Sequence, residues 1–197
     1  MRRDYKPVVR AEQSEQGVSL VIVLILLGAM ALGSVAALRN TAGSLQLGRA
    51  WLMQTLAWEQ AHAGLRHCEG QLLLPSALRD PRLADPALLW SSPEQPIWNT
   101  SAVWQSGAQT VAAVLPASMA TSRSPICLVE KQILKNQPDG LPIHVITARG
   151  FSPDHRADAS TGATTAGVAL WLQSTVLIEE AQVRARSFKR ILNPPLR

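Results

Sequence analysis

Hydrophobic residues are concentrated near the start of the chain. Residues 18–38 read VSLVIVLILLGAMALGSVAAL, twenty-one positions without a charge, Pro, Asn or Gln. As a helix, this segment is about 31 Å long, close to the thickness of the hydrocarbon core of a bilayer. No second segment of this kind follows in the sequence. The pattern therefore predicts a chain that crosses a membrane once, at residues 18–38.

Helical spacing of apolar residues continues beyond the membrane segment. No proline interrupts the chain between Pro7 and Pro75. The spacing predicts one helix from Val18 to about Leu74, with residues 39–74 as its amphipathic half. The alternative is a membrane anchor joined to a separate helix, and spacing alone does not distinguish the two. The apolar positions of the amphipathic half are Leu45, Leu52, Leu56, Ala63 and Leu72.

Proline and polar residues are frequent in residues 75–124, where no period of 3.6 or 2 persists. This composition predicts a long irregular region with short strands at 102–104 and 110–115. The tryptophans of this region are candidates either for an aromatic recognition strip or for anchors that hold the loop on a core, and we favour anchors. They are Trp90, Trp98 and Trp104.

Strand patterns dominate the rest of the chain, where alternating β-rich segments predict an antiparallel sheet of three or four strands. A turn is predicted at 138–140 and a polar loop at 152–167. The last strand alternates basic with smaller residues, which predicts a solvated basic face formed by Arg184, Arg186 and Lys189. With the long helix covering the sheet, the fold class is α+β, and residues 75–197 form its head. The segments are 126–130, 143–149, 168–176 and 183–192.

Composition and charge agree with an ordered, membrane-anchored protein. Of 197 residues, 47% are hydrophobic and 17% are charged, which excludes disorder as the dominant state. More basic residues precede the membrane segment than follow it at a similar distance. By the positive-inside rule, this excess places the N-terminus in the cytoplasm and the head on the far side. Four precede the segment and two follow it at a similar distance: Arg2, Arg3, Lys6 and Arg10, then Arg39 and Arg49.

The chain has two cysteines, Cys68 and Cys127, and both follow the membrane segment. A compartment outside the cytoplasm oxidises thiols, so we predict a disulfide between them. The bridge would tie the end of the helix to the first clear strand. The alternative is two buried free thiols that behave as small apolar residues.

A glycine stands directly before the membrane segment, and Gly17-Val18 is the candidate processing site. A secretory signal is disfavoured, because the apolar run is longer than the 7–15 residues of such signals. A plain signal anchor is the simplest alternative. A prepilin peptidase instead recognises a polar leader, here residues 1–17, and cuts before the hydrophobic stretch. Glycine suits the position before the cut because it leaves the backbone accessible to the protease.

Catalytic and metal-binding motifs are missing from the sequence. It contains no G-x-S-x-G, H-E-x-x-H, C-x-x-C or Walker loop. His62 and His67 are five residues apart, which does not place them as i, i+4 ligands on one helical face. Asp154-His155-Arg156 is typical of a solvated turn. We therefore predict a protein that is not an enzyme and that has no metal or cofactor.

Several segments together resemble the PilX-type minor pilins of type IV pili. The resemblance implies a type IV pilin fold, with a long N-terminal helix packed on a small antiparallel sheet. It also implies cleavage after Gly17 and N-methylation of Val18. The segments are GVSLVIVLILLGAMALGSVAALR at 17–39, LRHCE at 65–69, CLVE at 127–130, TARGF at 147–151 and LQST at 172–175.

One position departs from the pattern of major pilins, which have a glutamate five residues into the mature chain. Here that position is Ile22. Some minor pilins and pseudopilins thought to sit at the filament tip also lack this glutamate. We therefore favour a tip subunit over a poorly incorporated one.

The function that follows is a minor pilin that primes pilus assembly, first in the inner membrane with its head in the periplasm and then at or near the pilus tip. Its implied partners are other minor pilins, the major pilin, the prepilin peptidase, membrane lipid and a tip adhesin. The net charge of +5 also raises DNA or an acidic pilin as partners, although a solvated strand face is favoured. The alternatives are a type II secretion pseudopilin and a signal-anchored periplasmic binding module.

Overall fold

A computed structural model describes residues 16–84, 89–115, 123–133 and 142–196. Residues 1–15 of the predicted leader and the predicted turn at 138–140 lie outside the described residues. The chain divides into two compact units, Met1–Gly48 and Arg49–Arg197. In the first unit, the described part is helical from Gln16 onward.

The long helix α1 spans Gln16–Leu73, which confirms the predicted continuation of the apolar segment as helix. The apolar positions of the predicted amphipathic half are only partly buried. Leu45 and Leu52 are exposed by 69% and 54%, and Leu72 is buried. The buried face consists mainly of small residues, which allow α1 to lie close to the sheet and which a search for large apolar residues undervalues. Its members are Ala57, Ala61, Leu65, Cys68 and Leu72.

A six-stranded sheet forms the centre of the second unit. The long strands are β3 (Ile126–Gln132), β4 (Ile143–Phe151), β7 (Ala169–Glu179) and β8 (Gln182–Arg190). The short strands are β1 (Leu89–Trp90) and β2 (Val111–Ala112) in this sheet, with β5 (Arg156–Ala157) and β6 (Thr164–Ala166) in a separate hairpin.

The four long strands are neighbours in the order β3-β4-β7-β8. Their pairings are antiparallel, as predicted. The sheet as a whole is mixed, because β1 pairs parallel to β3 while β2 pairs antiparallel to it. Strand β4 is buried along its whole length. Both faces of the central sheet are therefore covered.

Each face of the sheet has its own core. On one face, α1 packs against apolar side chains of β3, β4 and β7, among them Val129, Ile146 and Leu172. On the other face, Trp104 and Leu196 pack against Leu128 and Trp171. The segment between β1 and β2, together with Leu196 near the end of the described chain, thus covers the second face.

The structure corrects two predictions in the irregular regions. Residues 102–104, predicted as a strand, lie in the short helix α2 (Ser101–Ser106), which buries Trp104. The predicted strand at 110–115 is limited to β2. The loop 152–167 contains the β5–β6 hairpin. At α2 and β2, contacts with residues distant in sequence outweigh a weak local pattern.

Candidate functional site

The apolar part of α1 is the first candidate site. A window of eighteen residues within it has a mean hydropathy of 2.7, which makes it long and apolar enough to cross a membrane. Its large side chains are exposed, including Val18 at 65%, Ile22 at 52% and Leu32 at 74%. In water such a surface is strongly unfavourable, whereas lipid or other apolar helices match it.

The two processing residues lie at the beginning of this helix. Gly17 and Val18 both belong to the first turn of α1. Cleavage between them remains a prediction, as does N-methylation of Val18. Ile22 lies one turn further on, and its side chain is exposed without a charge.

The disulfide between Cys68 and Cys127 is confirmed. Both cysteines are fully buried, their Cα atoms are 6.5 Å apart, and neither is free. Cys68 is on the sheet-facing side of α1 and Cys127 is in β3. The bond therefore joins the helix to the sheet across 59 residues of sequence.

A buried carboxylate forms a second connection between helix and sheet. Glu69 is 5% exposed and accepts a hydrogen bond of 2.9 Å from the Ser174 hydroxyl of β7. The Arg186 guanidinium of β8 donates to its other oxygen at 2.8 Å, and Arg66 lies 3.5 Å away. Because every contact is charge-assisted, this cluster holds the edge strand against α1.

The predicted basic face of β8 is wrong in its composition. Arg186 faces α1, where it pairs with Glu69, whereas Lys189 faces the opposite side of the sheet. Arg184 pairs with Glu179 and Glu180. Lys189 is three positions after Arg186, so strand alternation itself places the two side chains on opposite faces, and the two arginines are engaged in ion pairs.

The three loop tryptophans differ in burial. Trp104 is 4% exposed, packs edge-on against Trp171 with ring centroids 4.6 Å apart, and donates its indole N–H to the Trp98 carbonyl oxygen at 2.8 Å. Trp98 is half-buried, and Trp90 is 56% exposed with Lys131 5.5 Å from its ring. Trp104 is thus an anchor, as predicted, but the other two keep accessible surface.

A buried arginine secures the loop that follows β4. Arg149 is 1% exposed and donates to the Gly162 carbonyl and the Thr164 hydroxyl. Its guanidinium lies between the rings of Phe151 and Trp171, about 5 Å from each. Burial, with the nearby charge of Arg123, lowers the pKa of Arg149 to about 10, so it stays charged at neutral pH.

His155 lies within the same loop and is only 8% exposed, so the solvated turn predicted at 154–156 is wrong for this residue. Its Nε2 is 3.3 Å from the Thr164 hydroxyl, and its ring lies against Phe151. Burial, followed by the charges of Arg149 and Arg123, lowers the pKa of His155 to about 4. The imidazole is therefore neutral at pH 7, so it packs against Phe151 without burying a charge. With so low a pKa, the imidazole is also a weak general base.

Two other titratable side chains, those of His62 and Asp158, are engaged by neighbours along the chain. His62 stacks on Trp58 with ring centroids 5.2 Å apart. Asp158 accepts four hydrogen bonds from Ser160 and Thr161, and these lower its pKa. Within the described ranges, no group of three His, Cys, Asp or Glu residues could hold a metal ion.

No family model, curated protein or solved structure matches this chain.

Proposed function

We propose that this protein is a minor pilin that primes assembly of a type IV pilus and remains at or near its tip. The observation that carries the proposal is the composition of α1. One helix contains an exposed apolar segment directly after Gly17 and, further along, the face that packs on a disulfide-linked sheet. This is the arrangement that the PilX-type resemblance implies.

The membrane segment supports assembly through its surface. Gly28 and Gly33 have no atoms within 4 Å of an added Cβ, so their surface is open to a neighbouring helix. Small residues let helices approach closely in lipid, where packing rather than the hydrophobic effect drives association. We propose that the partners there are the stems of other pilins.

The position of Ile22 supports a tip location. An apolar side chain there cannot form the ion pair that a glutamate would make with the amine of an adjacent subunit. A subunit with no neighbour above it does not need that pair. The proposed role requires three partners for this protein: the processing enzyme, the other minor pilins and membrane lipid. It does not require a tip adhesin or DNA.

Deletion of the gene tests this function. We expect surface pili to be strongly reduced while the membrane stock of major pilin is unchanged, because priming acts on nucleation. Blocking retraction in the deletion strain should restore some filaments. Normal piliation without a compensating paralogue contradicts the proposal, and a secretion defect with normal pili identifies a pseudopilin instead.

A further inference from the structure

A groove lined by both polar and apolar side chains lies on the sheet face opposite α1. Its volume is about 350 Å³, within the range of small-ligand sites. We call this cavity the amide groove. The side chains that give it its binding chemistry come from β3, β7, β8 and the segment before α2. They are Trp98, Gln132, Gln173, Thr175, Ser187 and Lys189.

The floor of the amide groove contains two immobilised side-chain amides. Gln173 and Gln132 are only 3% and 6% exposed. The Nε2 of Gln173 donates to the Thr147 hydroxyl at 2.9 Å, and the Nε2 of Gln132 donates to Ser91 Oγ and Glu130 Oε1 at 3.0 and 3.2 Å. Because their nitrogen atoms are engaged, both amides are held in one orientation.

In these hydrogen bonds both amides act through Nε2, so neither Oε1 atom takes part in them. The two amide oxygens are the acceptors that these side chains offer to a ligand. Polar groups in such positions are costly unless they are hydrogen-bonded, by the ligand or by water.

Donors lie beside these acceptors on the neighbouring strand. Lys189 is directly opposite Gln173 in the ladder, and Ser187 is directly opposite Thr175. The described part of the chain places no carboxylate against the Lys189 ammonium. Two adjacent cross-strand pairs thus present an ammonium, two hydroxyls and an amide oxygen on one surface.

One wall of the groove is aromatic and rigid. Trp98 stands there with Pro93 and Pro96. Its backbone N–H donates to the fully buried Glu130 carboxylate at 3.3 Å, and its carbonyl accepts from Trp104. Glu130 also binds the Gln132 amide, so one carboxylate positions both the wall and part of the floor.

We propose that the amide groove binds a saccharide. Sugar hydroxyls donate to amide oxygens and accept from ammonium and hydroxyl groups, while the apolar face of a pyranose ring packs on an indole. An apolar peptide segment fits poorly, because the amide and ammonium groups would lose water without gaining partners. This activity is independent of the proposed role in pilus assembly.

The test uses the full-length protein in a detergent without a sugar headgroup, applied to an array of neutral and acidic oligosaccharides with immobilised peptides as a control. We expect binding to a subset of the oligosaccharides. Ser187→Tyr, at an exposed position, fills the groove and should weaken that binding at least about tenfold, and Lys189→Ala should weaken it several-fold.

Gln182→Tyr is the matched control, because it adds the same ring to the same strand away from the groove. It should leave binding unchanged, and all three variants should keep the wild-type melting temperature within about 2 °C. Absence of oligosaccharide binding by the wild-type protein, binding to the peptides alone, or equal binding by Ser187→Tyr and Gln182→Tyr would overturn the proposal.

Discussion

Gly150 of β4 lies directly against Ala61 of α1. A Cβ atom built on Gly150 would be 2.1 Å from the Ala61 nitrogen and 2.3 Å from the Ala57 carbonyl oxygen. The helix therefore packs on the backbone of the strand itself. Backbone atoms cannot move aside as a flexible side chain can, so this contact requires glycine.

Replacement of Gly150 should disrupt the helix–sheet contact. We expect Gly150→Ala to lower the free energy of unfolding by about 3 kcal/mol, because the added methyl group forces α1 away from β4. Gly70→Ala is the control, since Gly70 is helical with nothing within 4 Å, and it should stabilise the protein by up to about 1 kcal/mol. Denaturant unfolding in micelles, followed by tryptophan fluorescence, measures both. Equal stability of Gly150→Ala and wild type would contradict the packing.

The disulfide should contribute substantially to stability. In the chain-entropy model a loop of this length is worth about 4 kcal/mol, because the bond restricts the unfolded chain. We expect the double variant Cys68→Ala/Cys127→Ala to lose a large part of that and to be degraded faster in the cell. Thiol labelling of unreduced, denatured wild-type protein should find no reactive cysteine; two per chain would refute the bridge.

The Glu69–Arg186 pair should behave as one coupled unit. Glu69→Leu leaves Arg186 and Ser174 without their acceptor and should cost about 2 kcal/mol, discounted because Arg186 is partly exposed. Arg186→Leu should cost less. In the double variant we expect a loss smaller than the sum, since neither member of the pair is left without the other. Strictly additive losses in a double-mutant cycle would show that the contact is not energetically coupled.

His155 should make stability fall with acid. Its pKa of about 4 lies below the usual 6.5, so the folded protein binds fewer protons than the unfolded chain between these values. The stabilisation is complete above about pH 6.5 and is lost as the pH falls towards 4, by at most about 3 kcal/mol. His155→Leu should reduce this slope. An identical pH profile for both proteins would contradict a buried, neutral imidazole.

Periodicity accounts for the parts of the fold that local sequence determines. Helix α1 and the four long strands follow from apolar spacing and β-branched alternation. Helix α2 does not, because residues 102–104 suit a strand by their local pattern, whereas in the structure they are helical and Trp104 packs on Trp171. An isolated glycine in a strand, such as Gly150, is a recognised signal of close backbone approach that sequence analysis could have used.

The candidate sites were less predictable than the elements. Cys68 and Cys127 could be paired because no other cysteine competes. Glu69 and Arg186 are 117 residues apart, and nothing local marks them as partners. Likewise, Glu130 receives N–H groups from Ile97 and Trp98 across more than thirty residues, which only the folded chain reveals.

The central claim is that Gly17 ends a leader and that the chain matures as a pilin. Mass spectrometry of the protein purified from the membrane tests this most directly. We predict a mature N-terminus at Val18, carrying a methyl group on its amine, and an uncut precursor when Gly17 is replaced by a bulky residue. A protein that still begins at Met1, or one cut after the apolar segment, would contradict the claim.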